Sequence, residues 1–359
     1  MRKLQQTIYI MLFVILSVVI LYYSRSFLVP VALSGILAML FVPICNKLER
    51  QGISRSISAF LGLLLFITAV ALVIVILSWQ LSSFSENLQG IKERSLGMLE
   101  HFRNWLNETV GISQQQQDSL IDEQSKSAGG STTNILAGFA LGTLNVLINT
   151  VLVLVYTYLF LFYRSRIKTF ILKLVPAQHN SQAKEIIQQS TNVSQQYLGG
   201  LTGMILMLWV LYGIGFSIVG VENALFFAIL CGILEIIPFV GNITGTSFTV
   251  LAVVAQGGQS QMIIGVIAVY LLIQFFQTYI LEPLIVGNQV NINPLFTIMA
   301  LVVGESIWGI AGMVLAIPLL GIIKIICDHV PSLKAYGYLI GTEKRSKNKW
   351  IDKIKQIVK

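Results

Sequence analysis

The chain has 359 residues, of which 55% are hydrophobic and only 11% are charged, and its formal net charge is +8. Its mean hydropathy is +0.77, which excludes an ordinary water-soluble globular protein, where about 25% of residues are charged. The positive charge lies in the connections between hydrophobic segments and in the tail, where anionic lipid headgroups account for it, so no nucleic-acid partner is predicted.

Apolar runs of membrane-spanning length recur along the chain. Lipid offers no hydrogen-bond partners to free backbone groups and the chain has few strand-like alternations, so these runs predict helices rather than barrel strands. The predicted fold class is an all-α polytopic membrane protein with the lipid bilayer as its main surrounding. We expect about eight hydrophobic segments, at residues 8–23, 27–45, 57–80, 134–163, 198–219, 224–256, 261–282 and 294–327.

The first segment follows Arg2 and Lys3 and has no small-residue cleavage site after it, which predicts a retained anchor helix. Lys and Arg are abundant before this segment, in alternate connections and in the tail, so both termini are expected in the cytoplasm of a multi-pass inner-membrane protein. The three cysteines lie far apart without metal-ligand spacing, and neither a metal site nor a disulfide is predicted.

The predicted organisation has six parts in chain order. The first part consists of N-terminal transmembrane helices, and the second is an extracytoplasmic insert with an amphipathic beginning and a flexible, polar end. A transmembrane helix, a basic cytoplasmic connector, a C-terminal transport core and a basic cytoplasmic tail follow. Their boundaries are 1–80, 81–133, 134–163, 164–197, 198–327 and 328–359.

The sixth hydrophobic segment is too long for one crossing. Residues 224–256 would make about 50 Å of helix, against a bilayer core of about 30 Å. Pro238 cannot donate a backbone hydrogen bond, while Gly241 and Gly245 permit irregular backbone, so a break is predicted there. Glu235 and Asn242 lie beside the break. Irregular backbone at membrane depth must be buried in protein or line a water-filled cavity.

The last hydrophobic segment repeats this pattern. Its predicted helix breaks are Pro294, Gly304, Gly309, Gly312 and Pro318. Helical spacing puts Glu305 on one face with Gly309, Gly312 and Ala316, which predicts a groove that a neighbouring helix can approach closely.

The seventh segment carries a polar stripe between the two broken segments. Its residues recur near three- and four-residue spacing and need a partner other than lipid. They are Gln274, Gln277, Thr278 and Glu282.

Two models fit the overlong segments. If both cross the membrane, the two repeats run parallel; if both fold back as re-entrant hairpins, the repeats are inverted, and the excess length favours hairpins. A charged side chain at the centre of a membrane helix costs roughly 2.5–3.5 kcal/mol, so Glu235 and Glu305 are expected to serve a pathway as proton carriers or cation ligands. The alternative is a hydrogen-bonded carboxyl that only pins helices together. For Glu282 that alternative is stronger, because it stands at a helix end before Pro283.

The stretch Gly232–Gly241, with its Glu-Ile-Ile-Pro-Phe-Val-Gly run, resembles the signature of the autoinducer-2 exporter family of bacterial permeases. The later stretches Glu282–Gly287, Asn293–Leu295 and Gly309–Leu319 are similar to that family's C-terminal pattern in order and spacing. The resemblance implies a bacterial transporter of the quorum-sensing signal autoinducer-2, or an antiporter that exchanges Na⁺ or Li⁺ for H⁺. It also makes a homo-oligomer plausible. Asn242, where many members have Pro, and Glu305 add polarity near the expected pathway.

An enzyme is not expected, because the three histidines lie outside the hydrophobic segments, no Asp lies within one, and no phosphate-binding loop is present. No cofactor is predicted. A passive channel and a non-transporting scaffold or assembly protein remain as alternatives, since small-residue grooves and a basic tail also suit partner binding. Solute flux coupled to a proton gradient distinguishes a secondary transporter from both.

Overall fold

The computed structural model describes residues 2–85, 132–237, 240–286 and 291–342. Within those ranges the chain is helical apart from turns and one isolated antiparallel bridge, so the predicted all-α class is confirmed. The described α-helices are α1 (Arg2–Tyr23), α2 (Arg25–Arg50), α3 (Arg55–Ser85), α4 (Thr132–Leu174), α5 (Asn180–Val219), α6 (Ala224–Leu234), α7 (Val240–Ala255), α8 (Ser260–Phe276), α9 (Pro294–His329) and α10 (Lys334–Ile340).

The helices agree with the eight predicted hydrophobic segments. Six of the described helices are long and apolar enough to span a membrane, and three shorter apolar helices occur at Ile8–Tyr23, Ala224–Leu234 and Gly241–Ala255. Helices α4 and α5 extend into the predicted connector 164–197, because its amphipathic residues continue the helical pattern on both sides of Pro176. Most of the predicted extracytoplasmic insert and of the basic tail lies outside the described residues.

The described chain divides into two compact units, and each takes pieces from both halves of the sequence. The first lies within Met1–Leu63, Tyr156–Gly203 and Leu281–Lys359, and the second within Leu64–Val155 and Met204–Ile280. The predicted transport core, 198–327, therefore contributes to both units. Each unit contains one of the two broken segments.

The broken segment of the second unit is a hairpin of two helices. Its arms, α6 and α7, pack against each other along their length. A Cβ on Gly241 would lie 1.8 Å from the carbonyl oxygen of Leu234, and one on Gly245 would lie 3.1 Å from the Cα of Cys231. As the residue number rises along α7, the residue that it meets on α6 falls, so the two arms are antiparallel.

The broken segment of the first unit is a second hairpin, although its helical backbone is interrupted at a single residue. Gly309 has φ 60° and ψ −143° inside α9, a conformation that side chains rarely tolerate. A Cβ on Gly312 would lie 1.9 Å from the carbonyl oxygen of Gly304. The arms 294–308 and 310–329 therefore fold back on each other across Gly309.

The base of this second hairpin supports the same conclusion. Ile292, just before the first arm, forms the antiparallel bridge with Gly341, which follows the second arm and α10. Asn293 N also donates to the carbonyl of Ile340 at 2.8 Å. The start of the first arm therefore lies beside the chain that follows the second arm and α10, as expected if the segment folds back on itself. The predicted single face of Glu305, Gly309, Gly312 and Ala316 is wrong, because the helix does not continue through Gly309.

Within the first unit, Arg164 of α4 joins the end of α2. Its Nη2 lies 2.7 Å from Glu49 Oε1 and 2.9 Å from Asn46 Oδ1, and both charged side chains are less than a quarter exposed. Arg55 is 3.9 Å from the same carboxylate and is 42% exposed. Arg164 is therefore the main partner of Glu49.

We expect Arg164→Gln to lower the free energy of unfolding by about 1–3 kcal/mol, because the partly buried carboxylate of Glu49 then loses its main charged partner. Arg55→Gln should change it by less than about 0.5 kcal/mol. Unfolding in mixed detergent micelles measures both variants. Equal effects of the two substitutions would contradict the assignment of Arg164 as the main partner.

Candidate functional site

The first hairpin turns immediately after α6, where Glu235 caps the helix with φ −59° and ψ −17°. Its N–H still bonds to the carbonyl of Cys231, four residues earlier. The next two N–H groups bond to carbonyls only three residues earlier, those of Ile233 and Leu234, so the helix ends in a tighter turn. Helix α7 then begins at Val240. This local geometry carries the carboxyl group to the tip of the hairpin.

The Glu235 side chain is buried against α8. Only 9% of the residue is exposed, and Gln277, its partner, is 5% exposed. Gln277 Nε2 donates to Glu235 Oε1 at 2.5 Å. A hydrogen bond from an amide to a carboxyl group is strong in a low-dielectric surrounding.

A second amide pair lies beside the first. Asn242 Nδ2 donates to Gln274 Oε1 at 2.5 Å, and the Tyr212 hydroxyl lies 3.4 Å from Asn242 Oδ1. Gln274 Nε2 continues to Thr278 Oγ1 at 3.3 Å. Tyr212 is fully buried and Asn242 is 6% exposed. We call Glu235, Gln277, Asn242, Gln274 and Tyr212 the hairpin-tip cluster.

Gln277 Oε1 and Thr246 Oγ1 are buried oxygens without a hydrogen-bond partner among the described residues. Thr246 lies one turn after Asn242 on α7. Buried polar atoms are nearly always satisfied, and exceptions often mark a site that another species occupies. The described residues contain no group of three or more His, Cys, Asp or Glu that could hold a metal ion.

The helix that carries both glutamines changes its winding at the cluster. Helix α8 ends at Phe276, and the chain continues as a π-helix over Gln277–Val286. π-helical turns are rare and are frequent at functional sites. The predicted polar stripe therefore has its protein partner in the first hairpin, and the winding changes at the residue that binds Glu235.

The other predicted carboxyl groups lie elsewhere. Glu305 is exposed on the first arm of the second hairpin, in the other unit, four residues before Gly309. The backbone of Glu282 is part of the π-helix, but its side chain lies outside the described side chains, and so does Pro238. Of the predicted site residues, the structure brings Glu235, Asn242, Gln274 and Gln277 together.

The predicted helix breaks have different positions in the second hairpin. Pro294 is the first residue of α9, where the Asn293 side chain accepts from Leu295 N at 3.0 Å. Gly304, Gly312 and Pro318 keep helical backbone, and only Gly309 departs from it within α9. The glycines at 304 and 312 are instead the point where the two arms meet.

Two residues of this region were not predicted from the sequence. Tyr212 has apolar sequence neighbours, as many tyrosines in membrane helices do. Nothing in the local sequence indicates that its hydroxyl lies near Asn242, 30 positions later. Thr246 lies between Gly245 and Ser247, in a run that indicates only helix packing. Tyr212 reaches the first hairpin only through a tertiary contact with Asn242, and the burial of the Thr246 hydroxyl also depends on tertiary packing, so local sequence could not identify either residue.

Comparison with known proteins identifies the family of the chain. The model of the AI-2E transporter family matches residues 9–332. YueF of Bacillus subtilis (strain 168), named as a candidate transport protein, is 27% identical over 341 residues, covering 89% of this chain and 90% of YueF. PerM of Escherichia coli (strain K12), named as a candidate permease, is 24% identical over 330 residues, covering 87% of this chain and 90% of PerM. Because the match covers nearly the whole length, the chain belongs to the AI-2E family of membrane transporters.

Proposed function

We propose that the chain is a secondary transporter that exchanges a small solute for protons, with Glu235 as the group that carries the proton. The observation that carries this proposal is a carboxyl group buried at the tip of a helical hairpin and bonded to Gln277. Ionisable groups inside membrane segments are costly and are retained mainly at substrate and proton pathways. Broken helices that meet a solute are a recurring feature of secondary transporters.

The lengths of the arms support a re-entrant first hairpin. Helices α6 and α7 have 11 and 16 residues, or roughly 16 and 24 Å at 1.5 Å per residue, both shorter than a bilayer core of about 30 Å. Neither arm crosses alone, so the tip ends inside the membrane. The joined base of the second hairpin supports a re-entrant form for α9 as well.

The excess length of the two broken segments supports inverted repeats over parallel ones, because each segment then folds back within the membrane. The distribution of basic residues predicts cytoplasmic termini under either arrangement. The proposed location is the bacterial inner membrane.

The Glu235–Gln277 pair can form a hydrogen bond in both protonation states of the carboxyl, which suits reversible proton binding. When Glu235 is ionised, Gln277 Nε2 donates to it. When Glu235 is protonated, its O–H can donate to Gln277 Oε1 after the amide rotates, which would satisfy the oxygen that now lacks a partner. The pair therefore stabilises either protonation state at the cost of one amide rotation.

The remaining polar residues receive supporting roles in this proposal. Asn242 and Gln274 hold α7 against α8 and offer amide oxygens to a solute or cation at the tip. Glu305, exposed before the turn of the second hairpin, is proposed as a carboxylate along the route on the other side. Glu282 has the same proposed role near the end of the π-helix.

The solute is proposed to be either a small polar signal of the autoinducer-2 type or Na⁺ or Li⁺. The amide and carboxyl oxygens of the hairpin-tip cluster are suitable ligands for both a polyhydroxylated molecule and a hard cation. We also propose that the chain assembles into a homo-oligomer. The proposed transport involves no catalytic step and no cofactor.

Flux into proteoliposomes across an imposed pH gradient tests this function. Vesicles with the full chain are compared with empty vesicles for autoinducer-2, Na⁺ and Li⁺, with the gradient present and then collapsed by a protonophore. We expect one of these solutes to accumulate only while the gradient lasts. Equal flux with and without the gradient would indicate a passive channel, and no flux of any of them would favour a scaffold.

A further inference from the structure

The end of α4 carries a shallow, open hollow that the transport proposal does not use. It is lined by Ser165, Arg166, Thr169, Phe170 and Lys173. These residues follow one another at three- and four-residue spacing, so they face the same side of the helix. All five are exposed.

The hollow has a strong positive charge without local compensation. No Asp or Glu occurs between Gln124 and Lys184, and neither Arg166 nor Lys173 has an ion-pair partner in the part of the chain that the structure describes. Arg164, one position before the hollow, differs because Glu49 neutralises it at 2.7 Å. The guanidinium of Arg166 lies 5.9 Å from the centre of the Tyr163 ring, which limits its orientations.

The surroundings of these charges are apolar. Ile167, Phe170 and Leu174 are 36%, 62% and 68% exposed next to the two cations, and they continue the apolar surface of a helix long enough to span a membrane, Leu147–Leu174. A soluble phosphate would gain nothing from this surface. A lipid would place its phosphate between the cations and its chains along the apolar side chains.

The available donors fit one phosphate group. Arg166 and Lys173 stand two helical turns apart, about 10 Å along the axis, a distance that their long side chains can close. Arg166 offers a planar pair of N–H donors and Lys173 a compact charge. The Ser165 hydroxyl is a third donor, whereas the Thr169 hydroxyl already donates to the carbonyl of Ser165 at 2.9 Å.

We propose that this hollow binds the headgroup of an anionic phospholipid, with Arg166 and Lys173 on the phosphate and the acyl chains along the apolar surface of α4. The bound lipid anchors the end of α4 at the membrane surface. This proposal is independent of the solute and of proton coupling.

Native mass spectrometry of the purified full chain tests it, with added phosphatidylglycerol, phosphatidylcholine or inorganic phosphate. We expect retention of phosphatidylglycerol over phosphatidylcholine, and the variant Arg166→Gln/Lys173→Gln should lower phosphatidylglycerol affinity roughly ten- to thirty-fold. The matched control Lys47→Gln/Arg50→Gln removes the same charge from the exposed end of another span, α2, and should leave the affinity unchanged.

Three results would overturn the proposal. The first is equal retention of both lipids, which would remove the preference for a negative headgroup. The second is an equal loss in the control variant, which would show that only net charge matters. The third is inorganic phosphate that binds as tightly as the lipid with the same sensitivity to Arg166→Gln/Lys173→Gln, which would indicate a site for a free anion.

Discussion

Glu235→Gln is expected to lower the initial rate of gradient-driven flux by at least about tenfold, equivalent to about 1.4 kcal/mol in the barrier. The substitution keeps the size of the side chain and its ability to hydrogen-bond Gln277, whose amide can rotate to pair with either oxygen or nitrogen. It removes the group that takes up and releases a proton. Proton-coupled flux should therefore fail while the fold is retained, as judged by elution and thermal unfolding in detergent.

Two controls make this result specific. Glu222→Gln removes an exposed carboxylate from the turn before the same hairpin and should transport at nearly the wild-type rate. Glu235→Asp keeps an ionisable group and should retain part of the gradient dependence. Gradient-driven accumulation by Glu235→Gln at the wild-type rate would contradict the role of Glu235 and would leave the carboxyl as a structural bond between the end of α6 and the π-helix.

Gly312→Ala is expected to destabilise the protein by roughly 2–4 kcal/mol. A Cβ at this position would lie 1.9 Å from the carbonyl oxygen of Gly304 and 3.0 Å from the Cβ of Trp308. Both are fixed parts of the opposite arm or of the turn, so the arms must separate and lose their packing. Unfolding in mixed detergent micelles, with the yield of folded protein, measures the effect.

Gly35→Ala is the matched control for this prediction. Gly35 is also a glycine within an apolar helix, α2, but a Cβ there would meet no atom within 4 Å. The control should be neutral or stabilise the protein by up to about 1 kcal/mol, since alanine is the better helix former. A Gly312→Ala variant as stable as Gly35→Ala would mean that the arms of the second hairpin do not meet at these glycines.

The helices and both interruptions could be predicted because each depends on local sequence. Apolar length identified the segments, and the excess length of 224–256 together with Gly241 required a turn. The Glu305 face could not be predicted correctly, because helical periodicity was extended through Gly309. Glycine is common in membrane helices, and its sequence context does not show whether φ is positive there.

The composition of the candidate site could be predicted only in part. The polar stripe of Gln274 and Gln277 and the carboxyl of Glu235 were each visible, because polar groups in apolar segments are unusual. Their pairing was not visible, since it joins residues 32 and 42 positions apart. The π-helical winding that begins at Gln277 was not predicted.

Cysteine accessibility at Thr246 tests whether the tip of the first hairpin lies on the route of the solute. In a background with Cys45, Cys231 and Cys327 replaced by alanine and with flux retained, Thr246→Cys is treated with a membrane-impermeant thiol reagent. Glu222→Cys in the exposed turn and Phe248→Cys, at an apolar position that is 52% exposed, are the reactive and unreactive controls. We predict that the Thr246→Cys thiol reacts during turnover and that an excess of the transported solute protects it. If this thiol is as unreactive during turnover as that of Phe248→Cys, the tip of the first hairpin does not lie on the route of the solute.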